Sequence, residues 1–240
     1  MNPGANEVRL SVALGWARVT ITKNFLSFIA LSVVVMILQF GQQFAATPFT
    51  QTFSVCIEAG GVGATIDSAA VASCFQSEMG SLLLVMVMAF CFVIASFLAT
   101  AGVIRGALYV TLGRKIGFAD TFTGPHFGAF AVTTLLIMVT FVAGLFLFVL
   151  PAILAILLFQ YAPFFALDRG LSPIQALTSS VRLVRLNWPI AILVLLFSGA
   201  SYLISGLFLG IPTLLFLPLA ALVTAYVYRS LQGEMIDPGE

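Results

Sequence analysis

Few side chains in this chain can do chemistry: one histidine, three cysteines and nine acidic residues among 240. His126 follows Gly124 and Pro125, and no second histidine or paired cysteine stands where four ligands could close around zinc. The HExxH pair, the phosphate-cradling glycine loop and the serine elbow do not occur. Catalysis needs positioned acids, bases, nucleophiles or metals. The sequence therefore predicts no enzyme: no catalytic residue, no metal site and no cofactor, with His126 an ordinary interfacial residue. Asp120 and Asp168 stand near arginines, where solvated or helix-terminal roles are expected.

Cys56 and Cys74 flank a glycine-rich stretch, Gly60, Gly61 and Gly63, that lets the chain turn back on itself. They are a candidate disulfide in an oxidising compartment, the alternative being two free thiols. Cys91 is expected to be an inert, small apolar residue. Two further polar features interrupt apolar sequence. Gln160 and Tyr161, upstream of a kink expected at Pro163, form a candidate intramembrane polar site, serving either interhelical hydrogen bonding or a substrate contact. Gly206 and Gly210 make a GxxxG pair, and Ser201 and Ser205 extend it into a small-residue face for packing within this chain or against a partner.

The elements that must position these residues follow from composition. Hydrophobic residues make up 61% of the chain and charged ones 8%, against about 25% charged in soluble domains. A bilayer core of about 30 Å takes roughly 20 apolar residues per helix. Runs of that kind predict an all-α, polytopic membrane protein: one membrane domain over 1–240, with about six spans at 25–44, 80–103, 127–149, 151–167, 188–208 and 211–228. The first run exceeds the 7 to 15 residues of a cleaved signal core and reads as a retained span.

The last four spans form two hairpins bending near Pro151 and near Gly210 with Pro212, because proline removes a backbone donor and disfavours helix before it. An amino terminus inside puts every Lys and Arg, from Arg9 to Arg229, in the cytoplasm and none outside. The outer segment 45–79 then carries Glu58, Asp67 and Glu78. Either hairpin can also bend within the membrane without changing this charge distribution. No charged residue falls inside the apolar runs, so the buried charge of an ion-coupled carrier is lacking.

Segment 167–188 reads LDRGLSPIQALTSSVRLVRLNW. Ser172, Pro173 and Gln175 spell a helix start with a capping box. Ile174, Leu177, Val181, Val184 and Trp188 share one stripe, with Arg182 and Arg185 on the opposite side, the pattern of an amphipathic interfacial helix on the cytoplasmic side. Those two arginines are candidate contacts for anionic lipid or a partner, or else simple orientation signals. The amino terminus repeats the theme: Ala13 and Leu14 precede Asn24 and Phe25 as Ala176 and Leu177 precede Asn187 and Trp188. Segment 105–126 holds the equivalent middle place without matching.

The strings DRGLSPIQALTSSVRLVRLNW, VALGWARVTITKNF, IRGALYVTLGRKIGFADTF and ALVTAYVYRSLQG resemble a group of actinobacterial integral membrane proteins with no agreed activity. More loosely, they resemble YciC-type and DUF975-type membrane proteins and the membrane domain of some glycerophosphodiester phosphodiesterases. The resemblance implies a helical membrane fold. The expected function is a non-enzymatic accessory or scaffold subunit of a larger envelope or lipid-handling assembly in the cell membrane. Alternatives are a small lipid carrier and a membrane domain serving an enzyme on another chain. The expected partners are membrane lipids and other membrane proteins, with no nucleic acid; oligomeric state is not encoded in any motif.

Overall fold

The computed structural model describes residues 9–61, 67–115, 117–118, 121–122, 124–208 and 210–238. Ten helices follow in order: α1 (Leu10–Lys23), α2 (Phe25–Ala59), α3 (Ser68–Ser77), α4 (Met79–Thr111), α5 (Phe127–Leu147), α6 (Val149–Phe159), α7 (Ala162–Arg169), α8 (Pro173–Leu186), α9 (Trp188–Leu207) and α10 (Thr213–Leu231). Six stretches are long and apolar enough to cross a membrane: α2, α4, α5, the combined Val149–Arg169, α9 and α10. Their outward faces are covered with exposed Leu, Val, Ile and Phe, which water would penalise and lipid tolerates.

The chain divides into two compact units. The smaller, Val35–Leu98, holds the distal part of α2, all of α3 and the first part of α4. Here the segment expected as an outer loop is largely helical. α2 runs on to Ala59 and carries Pro48 within it. The Thr47 hydroxyl donates to the Gln43 carbonyl at 3.0 Å, a bond within the same helix. Asp67 caps α3, accepting from the Ala69 and Ala70 amides. Gly61 turns with φ of 90°; Gly63 lies outside the described residues.

The larger unit, residues 1–34 with 99–240, contains the other helices. α5 and α6 pack tightly, and a Cβ at Gly144 would come within 2.8 Å of the Ala152 nitrogen. The bend between them falls at Phe148, in extended conformation, rather than at Pro151. Pro151 sits instead in the first turn of α6, where a missing N–H removes no helical bond. The 21 residues of α5 rise about 31 Å, a full crossing length. The second bend comes where expected: α9 ends at Leu207, Gly210 adopts φ of 78°, and α10 starts after Pro212.

α1 and α8 are each 14 residues long and bury corresponding positions. Ala13, Ala17, Thr20 and Ile21 in the first match Ala176, Ser180, Leu183 and Val184 in the second. Each helix ends on an asparagine whose side-chain amide donates to the carbonyl four residues back, Asn24 to Thr20 at 3.2 Å and Asn187 to Leu183 at 3.1 Å. Each asparagine carbonyl then accepts the first bond of the next helix. The twofold repeat is thus a repeated helix–asparagine–helix joint.

Candidate functional site

Asp168, Arg169, Arg229 and Glu234 converge where α4, α7 and α10 meet. Arg229, 5% exposed, directs every nitrogen of its guanidinium at a different partner. Nη2 lies 2.6 Å from Asp168 on α7, Nε 3.2 Å from the Thr111 hydroxyl on α4, and Nη1 pairs with Glu234 just after α10. Arg169 reaches the other oxygen of Glu234 at 2.6 Å, and the Tyr228 hydroxyl donates to Asp168 at 3.2 Å. A buried charge persists only when paired and hydrogen-bonded, and arginine's planar fork suits several acceptors at once. Partial burial pushes the Glu234 carboxyl up, but hydrogen bonds and charge from Arg229 and Arg169 outweigh this and hold it below its ordinary value. The carboxy-terminal tail adds a strap: the Trp16 indole donates to the Asp237 carbonyl at 2.8 Å, and the Asp237 amide to Thr111 at 3.0 Å.

This knot forms one wall of a cavity of about 310 Å³. Arg105, Tyr109, Arg114 and His126 line the rest, together with Asp168 and Arg229. Arg105 is 3% exposed; its guanidinium lies 4.2 Å over the Phe127 ring, and Nη2 donates to the Pro125 carbonyl. Nη1 is buried and has no hydrogen-bond partner among the described residues. Any side chain at Gly124 would collide with that guanidinium. His126 has φ of 74° and packs against Gly170, itself at φ of 60°, so neither glycine has room for a Cβ. Arg114 is exposed, 6.0 Å from the Tyr109 ring. The lining is thus rich in donors: three guanidiniums face one carboxylate. Among the described residues no three of His, Cys, Asp and Glu gather to hold a metal ion.

Sequence reasoning missed this cluster. Asp168 stands in the last turn of α7, the helix-terminal place read for it, but is mostly buried in an ion pair rather than solvated, and Arg105 and Arg229 lie within the apolar helices α4 and α10. The pairing of Arg229 with Asp168 spans 61 residues and leaves no local spacing to read. The signal available was an arginine just beyond three of the apolar runs, Arg105, Arg169 and Arg229. Asp120 lies outside the described residues.

The predicted sites fare differently. Cys56 and Cys74 are bonded, with Cα atoms 5.5 Å apart, while Cys91 is free and exposed. Gln160 donates to the Ala191 carbonyl on α9 at 3.1 Å, the interhelical bond expected of it. Tyr161 is fully buried and marks a break between α6 and α7 that Ser180 of α8 repairs. The Ser180 hydroxyl donates to the Leu158 carbonyl at 2.7 Å and accepts from the Tyr161 amide at 3.2 Å. Both groups belong to backbone left without helical partners by the break.

Ser201 and Ser205 are buried but bond back to their own helix, to Phe197 and Ser201 at 2.8 Å each. Gly206 faces open space and Gly210 is a turn residue beyond α9, so GxxxG is not a packing seam within this chain. Arg182 and Arg185 are exposed. Ile174 and Trp188 of the apolar stripe are 71% and 62% exposed, while Ala176, Ser180, Leu183 and Val184 form the face of α8 buried in the protein. Small side chains there let α8 approach α7 closely, where Ser180 can bond. The capping box holds, with the Ser172 amide donating to Gln175 at 3.3 Å.

The chain is 34% identical over 137 residues to the uncharacterised protein Rv2560 of Mycobacterium tuberculosis, and to the uncharacterised protein Mb2590 of Mycobacterium bovis. The match takes in 57% of this chain but only 42% of each relative. These mycobacterial relatives agree with the actinobacterial resemblance. No protein-family model matches, so the likeness to YciC-type proteins, DUF975-type proteins and the phosphodiesterase membrane domain gains no support. No solved structure matches either.

Proposed function

We propose that this is a non-enzymatic, multi-pass protein of the cell membrane with both termini in the cytoplasm. In this reading it is an accessory or scaffold subunit of a lipid-handling or envelope assembly. The observation that carries the reading is the presentation of α8. Its buried face is fastened to the α6–α7 break through Ser180, while Arg182 and Arg185 point outward without ion pairs among the described residues. A helix fixed on one side and cationic on the other suits docking on anionic headgroups or on an acidic partner surface. Each such arginine contributes on the order of 1 kcal/mol near an anionic leaflet. Replacing both by glutamine is expected to lower co-purified lipid and partner, measured by mass spectrometry of native membranes, with unchanged reporter orientation. Changed orientation with constant association would make the arginines topological signals only.

A second reading, a small lipid carrier, has one observation in its favour. A cavity of about 190 Å³ among α4, α6, α9 and α10 is lined by Gln160, Thr100, Ser198, Tyr202 and Thr224 amid apolar residues. Movement of a fluorescent lipid across vesicles containing the purified chain would favour this reading, and no movement above empty vesicles would remove it.

A further inference from the structure

We infer that the arginine-lined cavity bounded by α4, α7 and α10 binds a phosphodiester monoanion carrying a hydroxylated substituent. This rests on the proposed function only in taking the cavity to open toward the cytoplasm. Arg105 supplies the first argument. Its side chain is almost wholly buried, yet among the described residues Nη1 has no partner, which is unfavourable for a buried donor. The group is not loosely placed: Pro125 accepts from Nη2, the Phe127 ring lies beneath the guanidinium, and Gly124 gives it room. Arg105 is one of the residues that line the cavity, so its guanidinium sets a fixed positive charge there.

Charge selects the class. Arg229 is already neutralised by Asp168 and Glu234. Among the described residues no further carboxylate in the lining offsets Arg105 and Arg114, so their charge there is in excess and matches an anion. Phosphate oxygens accept from guanidinium in the bidentate geometry that arginine offers. The Asp168 carboxylate faces the same space, which disfavours a dianion by repulsion. It favours a ligand with hydroxyl donors, because the carboxylate has lone pairs beyond those used by Arg229 and Tyr228. A volume of about 310 Å³ holds a phosphate group with a small polyol. Two sources share this chemistry, a lipid headgroup and a soluble phosphodiester.

The test titrates full-length protein in detergent with dioleoylphosphatidylglycerol, with dioleoylphosphatidylcholine and with glycerophosphoglycerol, reading occupancy by native mass spectrometry. Phosphatidylglycerol is expected to bind in preference to phosphatidylcholine. Arg114→Gln, at an exposed position, is expected to weaken it about tenfold, a change typical of one lost charged hydrogen bond. Arg105→Lys keeps the charge but loses the fork and is expected to weaken it comparably; Arg18→Gln, on the exposed face of α1, is expected to leave it unchanged. Glycerophosphoglycerol bound as tightly as the lipid identifies a soluble ligand at this site, and a requirement for acyl chains identifies a lipid headgroup. Phosphatidylglycerol affinity unaltered by Arg114→Gln, or equal binding of phosphatidylcholine, would overturn the inference. Binding in detergent is independent of orientation and partners, so failure of the scaffold reading would register in the co-purification and reporter assays and leave this result standing.

Discussion

Arg229 Nη2 lies 2.6 Å from Asp168 Oδ1, joining α10 to α7 across a sequence separation of 61 residues. Both side chains are mostly buried, 6% and 15% exposed. Removing one member of such a pair strands the other charge, which costs more than the pair itself contributes. Asp168→Asn is therefore expected to destabilise the protein by about 3 kcal/mol. Combining it with Arg229→Leu should cost less than the sum of the two single changes. Additive losses in thermal unfolding in detergent would show that the two residues act independently.

Glu234 gives the network a pH dependence. Its folded value lies below the ordinary 4.5, because two arginines outweigh the opposing effect of burial. A depressed carboxyl contributes stability that is fully present above its unfolded value and is lost as pH falls through the folded one. The unfolding midpoint should thus drop from about pH 5 downward. Glu234→Gln should lower stability at neutral pH and flatten this acid limb. An acid limb as steep in the variant as in the wild type would exclude Glu234 as a contributor.

Ser180→Ala removes the hydroxyl that serves both Leu158 and Tyr161. Two buried backbone groups then lose their partner, so a cost of about 2 kcal/mol is expected. Thr178→Ala, exposed and bonded only within its own helix, should change stability by less than about 0.5 kcal/mol. Equal effects in a chemical or thermal melt would mean that Ser180 does not bridge the break.

The bridge between Cys56 and Cys74 closes a loop with a sequence separation of 18. In the chain-entropy picture such closure stabilises by about 3 kcal/mol. Alkylation in denaturant without reductant should add one label per chain, at the free Cys91. Three labels on protein taken from native membranes would contradict the bridge.

The membrane-scale features were legible because the bilayer imposes lengths. Runs of roughly 20 apolar residues announce spans whatever the tertiary contacts are, and Ser172, Pro173 and Gln175 announce the start of α8 by local hydrogen-bonding chemistry. Asn24 and Asn187 were visible as a repeated spacing, although their shared role in ending one helix and starting the next needed coordinates. The Arg229 knot was hidden because pairing across 61 residues obeys no period. The protein-facing side of α8, offset from its apolar stripe, was hidden because a polar residue, Ser180, occupies its centre.

The central claim is that the helices cross a membrane six times with the arginine cavity on the cytoplasmic side. One paired reporter measurement tests it most directly. A reporter active only outside the cytoplasm and one active only inside are fused in turn after Asp67 and after Gln232. The account predicts outside activity alone after Asp67 and cytoplasmic activity alone after Gln232. The same compartment at both positions, or the reverse assignment, would contradict it.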